Sequence, residues 1–113
     1  MKPDLLLQLP GALCAVPPAP DADIAAAFTS DLLSDVMGHA PSDSVLITIQ
    51  AHATTIAVAT VADIRAILIC SSRPIPADMV EAARRENVAL FRTSLDQYHA
   101  SVAVRDLFAS AAP

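Results

Sequence analysis

The run Ala66-Ile67-Leu68-Ile69-Cys70 has no polar residue in either phase of a two-residue repeat. A strand with one face in water alternates, so a strand of this composition is covered on both faces, as in parallel sheets flanked by helices. The neighbouring segments supply those layers. Pro76 can open a helix that carries Met79, Val80 and Ala83 on its inner face and ends near Asn87. Val88 to Arg92 reads as another short apolar strand, and Ser94 with Gln97 makes an S-x-x-Q capping box for a helix reaching about Phe108. On that helix Leu95, Tyr98 and Val102 share one face, whereas Val104 and Phe108 lie nearly opposite. One stripe can rest on the sheet; the other is left to a partner or to broader burial. The order strand, helix, strand, helix predicts an α/β fold, a single compact domain with a central, largely parallel sheet flanked by about three helices.

The first half is less regular. Gly11 to Val16 can form a short strand, and the Pro-Pro-Ala-Pro of residues 17–20 can only be an extended connector. Ile24 to Thr29 reads as a second strand. Ser30 is a natural N-cap for a helix from Asp31 to Met37, with Asp31 favoured in the first turn by the helix dipole. Gly38 suits the left-handed C′ position, and Pro41 prevents a restart. Val45 to Ile49 and Thr54 to Val61 are two β-branched runs, both expected to be strands, with the polar stretch Gln50-Ala51-His52-Ala53 between them. Residues 1–113 thus divide into an N-terminal segment and connector (1–20), a core (21–108) and a tail (109–113).

A chain of 113 residues suits one domain with a genuine core. Its hydrophobic fraction, 54%, is high and its charged fraction, 17%, is low, with 23 alanines accounting for much of the excess. So sparsely charged a surface predicts that some apolar area is covered by a partner, most simply a second copy in a homodimer. Twelve acidic against seven basic residues, a net charge of −5, argue against nucleic acid or an anionic membrane as partner. The adjacent pair Arg84-Arg85 reads as a solvated helix face, with Glu81 one turn before Arg85. Leu5-Leu6-Leu7 is cut short by Pro10 and makes a poor signal peptide, and no window has the roughly 18 apolar residues of a spanning helix. Cys14 and Cys70 form no CxxC pair, so the expected setting is cytoplasmic, with both thiols buried.

Gly11 and Gly38 are the only glycines, so neither a P-loop nor a G-x-G-x-x-G can be written on this chain. No metal-ligand spacing involves His39, His52 or His99, and no cofactor is expected. His39 and His99 read as helix-end and helix-surface residues. His52 stands at a strand end beside Gln50 and Thr54, where sheet proteins place ligands; the plainer reading is an ordinary turn or partly buried histidine. Ser71-Ser72-Arg73 follows a buried strand and precedes a helix. That geometry can offer backbone amides and a guanidinium to an anion, or can simply be a loop with an exposed arginine. No G-x-S-x-G elbow supports Ser71 or Ser72 as a nucleophile. Asp31 and Asp35 lie one turn apart on a face that usually stays solvated.

The strings T-S-D-L-L-S-D-V-M at 29–37, V-L-I-T-I-Q-A-H at 45–52 and I-A-V-A at 56–59 resemble stand-alone DRTGG-domain proteins, relatives of the N-terminal domain of HPr kinase/phosphorylase. The resemblance continues through Ala66 to Ile69 and the helix Ala77 to Glu86, covering residues 11–108. The D-R-T-G-G string itself is missing; Cys70-Ser71-Ser72-Arg73-Pro74 occupies the corresponding strand-end loop, and Thr54 stands where relatives tend to carry asparagine. The resemblance implies a domain without catalysis, of the kind used as regulatory or dimer-forming inserts in nucleotide-regulated pyrophosphatases and phosphate acetyltransferases. Stand-alone members look like accessory proteins of hydrogenase or kinase systems. Without a P-loop the kinase chemistry does not transfer. The expectation is a non-catalytic regulatory or interaction domain, homodimeric, sensing a nucleotide or other anionic metabolite for a partner enzyme. Its candidate ligand residues are Ser30, Asp31, Gln50, His52, Thr54, Ser71, Ser72 and Arg73. A phosphoryl- or acyl-transfer enzyme using Ser71, His52 and Asp31, and a purely structural dimerisation module, are the alternatives.

Overall fold

The apolar run from Ala66 forms the middle strand of the sheet, and everything else is arranged about it. The computed structural model describes residues 1–111. A 3-10 helix (Pro3–Gln8) is followed by β1 (Leu13–Val16), β2 (Ala26–Thr29), α1 (Leu33–His39), β3 (Ser44–Thr48), α2 (Ala53–Val61), β4 (Ala66–Ile69), α3 (Ala77–Glu86), β5 (Ala89–Arg92) and α4 (Gln97–Ala111). The five-stranded sheet has the order β1-β5-β4-β3-β2. Strands β2 to β5 are mutually parallel, and β1 runs antiparallel along β5.

Alternation along each strand sorts the core into two halves. Leu46, Ile67, Ile69 and Leu90 face α1, α2 and α3, meeting Val36, Ile56, Ala59, Met79 and Ala83. Val45, Ile47, Ala66, Leu68, Ala89 and Phe91 face the opposite way, onto Ala100 and Val104 of α4, Ile24, and Leu6 and Leu9 of the N-terminal segment. Strands that advance in one direction through crossovers of one hand put their connecting helices on one face. The second face is therefore left for α4 and the 3-10 helix. The single α/β domain with a mostly parallel sheet is as expected; within it Leu6 of the N-terminal segment is fully buried and β1 pairs with β5.

Several local expectations are corrected. Residues 53–61 form helix α2 and not a strand. Thr55, Ile56, Val58 and Ala59 are buried while Thr54, Ala57 and Thr60 are exposed, a helical spacing. Adjacent parallel strands β3 and β4 need a crossover, and that requirement overrides the β-branched composition. Ser30 does not cap α1: its Oγ accepts from the Leu32 amide at 3.1 Å in a local turn, and the helix starts at Leu33. Gly38 lies inside α1, because Pro41 forbids helical geometry only from Ala40, which is extended at φ −67° and ψ 129°. The S-x-x-Q box does not form either. Asp96 Oδ1 accepts from the His99 amide at 2.8 Å and caps α4, while Ser94 Oγ donates to Pro10 O at 3.1 Å.

Helix α4 rests on Ala100 and Val104, leaving Tyr98 71% and Val102 39% exposed, and it runs to Ala111 instead of ending at Phe108. Residues 112 and 113 of the expected tail lie outside the described residues. Cys70 is buried as expected, but Cys14 is exposed on β1. Among the described residues no helix is long and apolar enough to cross a membrane.

Candidate functional site at the carboxyl edge of the sheet

Parallel strands β2, β3, β4 and β5 all end on the same edge, so the loops that follow them lie side by side. Ser30 and Asp31 follow β2, Gln50 and His52 follow β3, with Thr54 in the first turn of α2, and Ser71, Ser72 and Arg73 follow β4. All eight residues singled out in the sequence are on this edge. Strand ends are where open α/β sheets bind ligands, because backbone and side chains there are free of the core.

Hydrogen bonds tie these loops into two groups. In the first, Gln50 Nε2 donates to Asp31 O at 2.8 Å, and the Ser30 amide to Ile47 O at 3.2 Å. The β3 loop is held from beneath by two buried threonines: Thr48 Oγ1 accepts from the Gln50 amide at 3.1 Å, and Thr55 Oγ1 donates to Gln50 O at 2.7 Å. His52 is the exposed N-cap of α2, and its ring makes no capping bond.

In the second group Ser71 and Ser72 both adopt the left-handed conformation, at φ 60° and 49°. For non-glycine residues this costs about 1–2 kcal/mol each. The bend is held by the loop after β5: the Ser71 amide donates to Leu95 O at 2.7 Å and the Ser72 amide to Thr93 O at 2.9 Å. Those two amides are therefore not free for an anion. Thr93 Oγ1 donates in turn to Pro10 O at 2.7 Å, which locks the turn before β1 against the same loop.

No hydrogen bond or ion pair of the described residues engages the side chains of Asp31, His52, Thr54, Ser71, Ser72 or Arg73. The first group is bonded directly through Gln50 and Asp31, and the second through its own loop; no hydrogen bond joins Asp31, His52 and Ser71. None of the eight lines the clefts of about 270, 300, 320 and 380 Å³ that indent the surface elsewhere. No group of three or more histidine, cysteine or acidic side chains among the described residues could hold a metal.

Two groups beneath and beside the edge, Cys70 and Asp96, have displaced proton affinities. Burial pushes the Cys70 thiol up to about 11, and Sγ makes only a weak 3.8 Å contact with Leu68 O, so this cysteine is chemically quiet. The amide and then the ring of His99 hold the Asp96 carboxyl below its ordinary range. The sequence reading missed Arg92, the last residue of β5. Its Nη1 lies 3.5 Å from Arg73 O, at the outer limit of a hydrogen bond, so its guanidinium lies beneath the β4 loop. A charge closing an apolar strand was the available signal, since the last residue of a parallel strand must stand at this edge.

Fold and edge together define a class: an α/β domain with helices on both faces of a mostly parallel sheet and a set of unengaged polar side chains at its strand ends. No family model matches the chain, and neither does any curated protein. Among solved structures it is similar to the CBS and DRTGG domains of the regulatory region of Clostridium perfringens pyrophosphatase, in complex with the activator diadenosine tetraphosphate. The TM-score is 0.73 at 12% identity, over 89% of this chain and 44% of that one. At that identity the likeness shows the fold; the chain spans less than half of the regulatory region it matches.

Proposed function

We propose that the chain is a non-catalytic regulatory domain of the DRTGG type. In this reading it binds a nucleotide or other anionic metabolite at the carboxyl edge of its sheet and acts as a homodimer on a partner enzyme. The observation that carries the reading is the set of unengaged side chains at Asp31, His52, Ser71, Ser72 and Arg73, all on one edge of the sheet. The similar pyrophosphatase structure supports it by analogy, since that region is regulatory and is complexed with a nucleotide activator. The relation to the N-terminal domain of HPr kinase/phosphorylase rests on the sequence resemblance alone.

A second reading, a structural dimerisation module, is favoured by the exposed Leu32, Met37, Tyr98 and Val102 on helices α1 and α4 and the segments leading into them. Thermal-shift screening with nucleotides and phosphorylated metabolites, followed by calorimetry, separates the two. We expect at least one ligand with a dissociation constant below millimolar; a screen with none leaves only the dimerisation module. Sedimentation should give a dimer at micromolar concentration, and a monomer there removes the homodimer from both readings.

A further inference from the structure

We propose that Arg73 and Arg92 together form the anion-recognising element of this edge, and that the group they receive is a terminal phosphate or pyrophosphate. The inference rests on the ligand-binding reading above and names the chemistry of that site. Three of the seven basic residues are paired with carboxylates: Arg65 with Asp43 at 2.8 Å, Arg85 with Glu86 at 3.6 Å and Arg105 with Asp106 at 3.2 Å. Neither Arg73 nor Arg92 has such a partner among the described residues, in a chain with twelve acidic side chains. Arg92 Nη1 reaches the backbone carbonyl of Arg73, so the two side chains start from adjacent positions on the edge, and an anion with charge near −2 can be met by both.

The pair is assembled by the fold. Arg92 is opposite Ile69 in the register of β4 and β5, and it shares the parity of Leu90, so its side chain emerges on the face of α3. The left-handed bend at Ser71 and Ser72 turns the chain back over β5, which brings Arg73 O to Arg92 Nη1. Strained non-glycine backbone persists where surrounding structure imposes it, and here it serves to hold Arg73 above the end of β5. Helix α3 begins four residues after Arg73 with no side-chain cap, so its positive end opens on the same side; Asp78 in its first turn is the nearest acidic residue in sequence.

The chemistry also favours side chains over backbone. Phosphate cradles of the glycine-rich kind use main-chain amides, but the amides of Ser71 and Ser72 are already donated to Leu95 O and Thr93 O. Recognition therefore falls to guanidinium forks, which meet phosphate oxygens two at a time, with the Ser71 and Ser72 hydroxyls available beside them.

The test is a titration of the full chain with sodium pyrophosphate and, separately, inorganic phosphate, followed by nitrogen–proton NMR including the arginine Nε–H signals. We expect saturable shifts confined to Arg73, Arg92 and the amides of residues 71, 72, 73, 75 and 77. Arg73→Gln and Arg92→Gln should each weaken pyrophosphate at least tenfold, Arg92→Lys should weaken it less, and Arg84→Gln, an exposed arginine on α3, should leave it unchanged. Shifts centred elsewhere, or affinities within twofold of wild type in both glutamine variants, overturn the proposal; the wild-type shift map decides it even if a variant fails to fold. A metabolite from the thermal screen that binds Arg92→Gln as well as wild type would sink the arginine pair and keep the ligand-binding reading. Pyrophosphate on the arginines with no metabolite found would do the reverse.

Discussion

The two glycines call for opposite treatment. Gly11 is at φ +62°, and a Cβ there would stand 2.8 Å from Ser94 Oγ and 2.9 Å from Ser94 Cβ, so the turn before β1 and the loop after β5 touch only because the side chain is missing. Gly38 sits in a helix with nothing within 4 Å of a would-be Cβ. Gly11→Ala should destabilise by about 1–3 kcal/mol, and Gly38→Ala should stabilise by roughly 0.5–1 kcal/mol, both read from urea denaturation. Equal signs for the two would contradict the placement of one of them. Cys70 gives the pH dependence. Its folded value of about 11 lies above the ordinary 9.0, so the unfolded chain loses this proton first. The stability it contributes is intact below about pH 9 and is lost as pH rises through about 11. Denaturation between pH 8 and 11 should show the fall, and Cys70→Ala should flatten it; an identical slope in the variant would mean that other groups cause it. Serines at 30 and 94 show why single polar residues misled the sequence reading. A hydroxyl serves a cap, a local turn or a distant carbonyl equally well, and Ser94 was claimed by Pro10, which lies 84 positions away in sequence.

Among the elements, legibility followed burial. Strand β4 could be read from five residues because both of its faces are in the core. The edge loops could be located because they follow strands whose direction the βα order fixed. Helix α2 could not, since Thr54-Thr55-Ile56-Ala57-Val58 has strand composition and its helical state is imposed by the neighbours it must connect. Ala57 is exposed in mid-helix, so Ala57→Pro should cost ~3 kcal/mol or more by removing a helical hydrogen bond and crowding the preceding turn. Ala57→Gln should stay within about 0.5 kcal/mol of wild type. A proline tolerated as well as glutamine would argue that residues 53–61 are not helical. Arg92 escaped notice for a related reason: its role depends on the bend at Ser71 and Ser72, and two consecutive left-handed serines carry no compositional mark.

Taken whole, the molecule closes one sheet face with three successive crossover helices and the other with its first and last elements. Leu6 is fully buried against that second face, so Leu6→Ala should cost about 2–5 kcal/mol in a single cooperative transition. A loss below ~1 kcal/mol would instead mark the first 20 residues as a detachable arm. The same arrangement bears on how the chain is made. Synthesis delivers the sheet and its first helical layer before α4, and at roughly 5–20 residues per second the 15 residues of that helix take about 1–3 s. Until they emerge, Leu68 and Phe91 lack the cover of Ala100 and Val104. During that interval the nascent domain is a half-covered sheet, and it is then that a chaperone, or a second nascent copy, would find it most adhesive.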